Sequence, residues 1–72
     1  MAKIGDMYEV GVGLQAGKTG RVVEIKDSYV TGHYEGLHFR PVCLEFENGS
    51  HPIRTWYKYR EITYLWDGDR RG

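Results

Sequence analysis

Apolar and polar residues alternate between Phe39 and Tyr57 on either side of Asn48-Gly49, and this pattern limits the possible folds more than any other in the chain. Val42, Leu44 and Phe46 occupy every second position of the first arm. Asn-Gly is the preferred pair for a two-residue type I′ turn, because both residues tolerate the positive φ that such a turn demands. That turn predicts that Glu47 faces Ser50, Phe46 faces His51, Leu44 faces Ile53 and Val42 faces Thr55. One face then carries Val42, Leu44, Phe46, Ile53 and Tyr57, with His51 beside Phe46. The other carries Cys43, Glu45, Pro52, Arg54 and Trp56. A slip of one residue would bury the charges, so the pattern defends its own faces.

The remaining segments predict more strands. Met7 to Val12 alternates, with Tyr8 and Val10 on one side and Met7 and Glu9 on the other. Gly11 and Gly13 mark a bend beyond it. Thr19 to Lys26 is rich in β-branched residues. Lys58 to Glu61 predicts a short 3₁₀ turn, Ile62 to Leu65 a closing strand, and Trp66 a cap on the end of a barrel. The segment from Asp27 to His38 has no clear period and predicts a surface loop, the kind of segment that commonly carries function. Residues 67–72 have nothing to bury and are expected to fray. No segment keeps a helical apolar period over three turns, so the chain is expected to be all-β.

At 72 residues there is room for one domain, and such a chain buries only about 60% of its unfolded surface. Ten aromatic residues compensate in part, since each buries a large area. Ten Lys and Arg balance ten Asp and Glu, so strong non-specific attraction to phosphate is disfavoured. The single Cys excludes an internal disulfide framework. With no apolar run of membrane-spanning length and no signal-peptide core, a cytoplasmic location without membrane contact is expected.

Ala16 to Ile25 reads Ala-Gly-Lys-Thr-Gly-Arg-Val-Val-Glu-Ile. A glycine-hinged turn here runs straight into a strand, and Ile4 to Val10 precedes it with a turn and strand of its own. Lys18 followed by Gly20, with Val22 and Ile25 behind, resembles the KOW motif, and the two segments together resemble the start of a small SH3-like barrel of the KOW type. The motif covers about a third of the chain. The resemblance implies a five-stranded barrel over residues 1–66 with a flexible tail at 67–72. It also implies a binding rather than catalytic role, with Lys18 and Arg21 touching phosphate or an acidic surface of RNA, ribosomal components or RNA polymerase.

Arg54-Thr55-Trp56-Tyr57-Lys58-Tyr59-Arg60 places three cations and three aromatics in seven residues. Bases stack on aromatic rings while Arg and Lys hold phosphates, so the composition suits single-stranded nucleic acid. Equally, Trp56 covers an apolar patch while the cations pair with Glu45 and Glu61. Tyr29, Tyr34, Trp56 and Tyr59 could surround a methylated cation, as in Tudor-type barrels. His33, His38, His51 and Cys43 lack the close ligand pairs that zinc sites use. Cys43 with a histidine has no third orienting group, so neither catalysis nor a cofactor is expected.

The sequence therefore predicts a non-catalytic interaction module that docks on a larger protein or nucleoprotein complex. Tyr34 and His38 from the loop would act with Arg54, Trp56, Lys58, Tyr59 and Arg60, Trp56 being the desolvated anchor. The alternative is direct binding of RNA or single-stranded DNA through Lys18, Arg21, Arg54, Trp56, Lys58 and Arg60. A third possibility is an oligomeric enzyme subunit or small-molecule binder with a cleft shared at a symmetry axis.

Overall fold

Strand-forming residues at alternate positions give five short segments an apolar side and a polar side, so they bury the first by pairing edge to edge. The computed structural model describes residues 2–26 and 40–68. Its strands are β1 (Met7–Val10), β2 (Thr19–Ile25), β3 (Val42–Phe46), β4 (Ile53–Tyr57) and β5 (Ile62–Trp66), with one 3₁₀ turn, Tyr59–Glu61, directly before β5. All pairings are antiparallel, and the order across the sheet is β4-β3-β2-β1-β5. The all-β, five-stranded architecture with a helical turn ahead of the last strand is therefore as the sequence predicts. The expected loop from Asp27 to His38 and residue Phe39 lie outside the described residues.

The barrel does not form, and with it the resemblance to SH3-like and KOW-type barrels fails. Closure requires the two edge strands to share a ladder, whereas β4 and β5 end an open sheet with no pairing between them. The main-chain carbonyl of Trp56 in β4 receives the Arg40 guanidinium at 3.4 Å, a side chain in place of a neighbouring strand. Gly20 is also not a turn residue like the KOW glycine. It lies inside β2, opposite Tyr8. Trp66, with no barrel end to cap, stands opposite Met7 and is 42% exposed.

The hairpin forms in another register. Phe46 pairs with Ile53, Leu44 with Thr55 and Val42 with Tyr57, each partner two residues beyond that of a turn centred on Asn48-Gly49. Asn48 and His51 bound the real turn. The Asn48 carbonyl accepts the His51 N–H at 3.1 Å, and Asn48 Nδ2 donates to the His51 carbonyl at 3.4 Å. Gly49, at φ +60°, supplies the left-handed residue. Pro52, which has no N–H to give a ladder, sits just before β4. A slip of two leaves every side chain on its expected face; only His51 moves, from the core side to an exposed turn.

Core side chains come from one face of all five strands: Tyr8 and Val10, Val22, Val42, Leu44 and Phe46, Tyr57, and Ile62, joined by Ala2 from the N-terminal segment. Leu44, Val10, Val22 and Val42 are the largest side chains to be fully enclosed, and each contributes about 1.5–3 kcal/mol through burial. Tyr8 meets Tyr64 edge to face at 5.6 Å, and Phe46 meets Tyr57 the same way at 6.3 Å. Register shifts between Met7 and Tyr8 and between Val22 and Glu24 leave one extra residue each, Leu65 in β5 and Val23 in β2. Such bulges sharpen the local twist. At the N-terminus, buried Asp6 accepts the Lys3 N–H through Oδ2 at 3.0 Å, and its main-chain carbonyl accepts the Val22 N–H at 2.9 Å. At the other end Asp67 and Gly68 are half-buried, and a Cβ on Gly68 would collide with the Gly5 carbonyl. Residues 69–72 lie outside the described part.

Gly20 is required by packing. A Cβ there would stand 2.8 Å from Phe46 Cε1 and 3.0 Å from Leu44 Cβ. Gly20→Ala is expected to lower stability by about 1–3 kcal/mol in chemical denaturation, the cost of overpacking a filled core. Phe46→Leu in the same chain should recover part of that loss; equal losses with and without it would show that the ring is not the obstacle.

Candidate functional site

Gly13 and Gly17, at φ +75° and +87°, let residues 11–18 fold back tightly between β1 and β2. The turn is held by main-chain bonds: Val10 N–H to the Lys18 carbonyl at 2.9 Å, Gly17 N–H to Val10 at 2.8 Å, Lys18 N–H to Gln15 at 2.9 Å and Ala16 N–H to Gly13 at 3.2 Å. This backbone carries Val12 at 40% exposure and Leu14 at 98%.

Across from the turn lies the junction of β4 with the 3₁₀ turn, organised by Glu61. Its Oε1 accepts the Lys58 N–H at 2.8 Å, and its Oε2 pairs with Arg40 Nη2 at 3.4 Å. Its carbonyl accepts the Gly11 N–H at 2.9 Å, which ties the end of β1 to the start of β5. The same Arg40 reaches the Trp56 carbonyl. Between the two walls is a groove of about 370 Å³, lined by Val12, Leu14, Gln15, Arg40, Tyr57 and Glu61, with Thr55 in its floor. Gln15 Oε1 is buried and has no hydrogen-bond partner among the described residues. Burial pushes the Tyr57 phenol above its ordinary 10.0, the hydrogen bond with the Thr55 side chain opposing that rise. The groove thus offers an apolar rim and a neutralised ion pair.

The residues singled out from sequence are dispersed. Arg54 and Trp56 share the side of β4 away from the core. Arg54 Nε lies 3.5 Å from Glu45 Oε2, and Trp56 is half-buried with Lys26 Nζ 4.9 Å over its ring. Lys58 is half-buried at the junction, while Tyr59 and Arg60 are exposed on the 3₁₀ turn. The Tyr8 phenol is raised by burial and then by Asp6, with Tyr59 adding to the rise. Lys18 and Arg21 line a separate cleft of about 790 Å³ with Met7, Phe46, Glu45 and Glu47. Arg21, Glu45 and Arg54 stand side by side across β2, β3 and β4. Tyr29, His33, Tyr34 and His38 lie outside the described residues. Cys43 is buried beside Trp56, and no group of three metal-ligating side chains exists among the described residues.

Val12, Leu14, Gln15 and Arg40 were not anticipated. The signal for Leu14 was present, because an apolar residue inside Gly-Val-Gly-Leu-Gln-Ala-Gly has no strand to carry it into a core. No protein-family model, curated protein or solved structure matches the chain.

Two outcomes follow from this geometry. Glu61→Ala removes the acceptor for Lys58 N–H together with the Arg40 pair and should cost about 1–3 kcal/mol. Glu61→Gln keeps an acceptor and should cost well under half of that in the same denaturation experiment, since an ion pair with an exposed partner adds at most about 1 kcal/mol. Separately, the raised phenols of Tyr8 and Tyr57 favour the neutral form in the folded state. Their contribution is complete below about pH 10 and is lost as pH climbs through their folded values. Unfolding free energy should therefore fall above about pH 10, and Tyr57→Phe should shrink that fall.

Proposed function

We propose that the chain is a non-catalytic docking module that takes an extended apolar segment of a larger protein into the groove between residues 11–18 and the β4 junction. The observation that carries this is Leu14, 98% exposed on the rim of that groove. Covering such a side chain is worth about 1.5–3 kcal/mol. Exposed Tyr59 on the 3₁₀ turn supplies aromatic surface of the kind that anchors protein interfaces.

Nucleic-acid binding is less well supported. Arg54 is paired with Glu45, Arg21 stands beside the same carboxylate, and Arg40 is paired with Glu61. Each of these three guanidinium groups therefore has a local counter-charge, which weakens attraction to a phosphate backbone.

Selection of random peptides against the intact chain tests the proposal. Peptides with apolar anchors are expected, and Leu14→Asp should weaken their binding by about tenfold or more while leaving the circular dichroism unchanged. Selected peptides indifferent to Leu14→Asp would overturn the groove as the site. Steep, salt-sensitive binding of a single-stranded oligonucleotide that survives Leu14→Asp would favour nucleic acid instead.

A further inference from the structure

The two edges of the sheet are not equivalent. The edge of β4 carries Arg54, and the Arg40 guanidinium occupies its Trp56 carbonyl. The edge strand β5 reads Ile-Thr-Tyr-Leu-Trp, with no charge and no proline, and its bulge at Leu65 lies beyond the stretch from Ile62 to Tyr64, so that stretch lacks the usual devices that keep an edge from pairing.

Hydrogen-bond parity shows what β5 presents. Val10 exchanges main-chain bonds with residues 17 and 18, and the Asp6 carbonyl accepts from Val22, so the even positions of this segment face β2. Odd positions face β5, as the bond from Gly11 N–H to the Glu61 carbonyl shows. Glu9 therefore bonds with Thr63, whereas Ile62 and Tyr64 stand opposite Val10 and Tyr8 with their own peptide groups turned outward. Among the described residues no strand receives those groups. Thr63 is exposed on the opposite side from Tyr64, which is itself 51% exposed.

We infer that this edge pairs antiparallel with the same edge of a second copy, about a two-fold axis through Thr63. On that axis Ile62 of each chain faces Tyr64 of the other, so the N–H and C=O of both residues find partners and four main-chain bonds form. Thr63 meets its own counterpart, and β-branched Ile62 meets an aromatic ring, both favourable cross-strand pairs. The contact is isologous, and a second copy is the occupant the charge favours, because an uncharged edge on a chain of zero formal net charge sets up no repulsion between copies. The two sheets become one of ten strands. This surface is separate from the Leu14 groove, so either can fail without the other.

Sedimentation equilibrium of the full chain, from about micromolar to about millimolar concentration, tests the inference. A concentration-dependent dimer is expected. Thr63→Lys places like charges against each other on the axis and should raise the dissociation constant at least about tenfold. Thr63→Glu should do the same, and mixing the two variants should restore association as a heterodimer. Tyr64→Pro, which removes an outward N–H, should also abolish pairing; the melting temperatures of the two Thr63 variants guard against misreading a loss of fold. A chain that stays monomeric throughout, or a dimer indifferent to both Thr63 variants and unchanged by Leu14→Asp, would overturn the edge pairing.

Discussion

The carboxylate and carbonyl of Glu61 hold together parts of the chain that the sheet alone leaves apart. The 3₁₀ turn must carry the backbone from one edge strand to the other, from β4 to β5, without a ladder between them. Glu61 makes that passage rigid by closing the turn through Lys58, fastening its far end to Gly11, and drawing in Arg40 from just before β3. Its side chain is only 14% exposed, so the hydrogen bond to Lys58 is shielded from water while the outer half of the ion pair is not. One residue thus decides how the β4 junction faces the turn at residues 11–18, and so whether a groove exists between them.

The sheet's charge arrangement has a related logic. Arg21, Glu45 and Arg54 form a row across three strands, alternating in sign. Exposed pairs of this kind add little to stability. They do discourage any one-residue slip, because the row would then turn towards Val22, Leu44 and Ile53. The balance of charge over the whole chain is repeated locally, and it leaves apolar side chains as the main source of unsatisfied surface energy.

Strand existence and facing were legible in the sequence because both depend on a local two-residue repeat. The partners of Val42, Leu44 and Phe46 were misjudged by two positions, yet their faces were right, since a shift of two preserves the repeat. The turn was placed one residue too early: its central residues are Gly49 and Ser50, and moving a turn by one position moves every partner by two. The open sheet was not legible: closure depends on accumulated twist and on whether two distant edges meet, and neither leaves a local pattern. Arg40 with Glu61 is likewise a contact across 21 positions that no spacing rule announces. Gly20 was noticed for its conformational freedom, whereas its importance lies in the space that Phe46 takes above it.

The position of Cys43 carries a last consequence. Burial, then the neighbouring carboxylate of Glu24, keeps its thiol protonated above the ordinary 9.0, with Arg54 only partly opposing them. Nucleophilic sulfur is the thiolate, so this thiol is slow towards oxidants, alkylating agents and other thiols alike. The one cysteine of the chain is therefore redox-silent while the fold persists, and its sudden reactivity would be a chemical reporter that β3 had parted from β4.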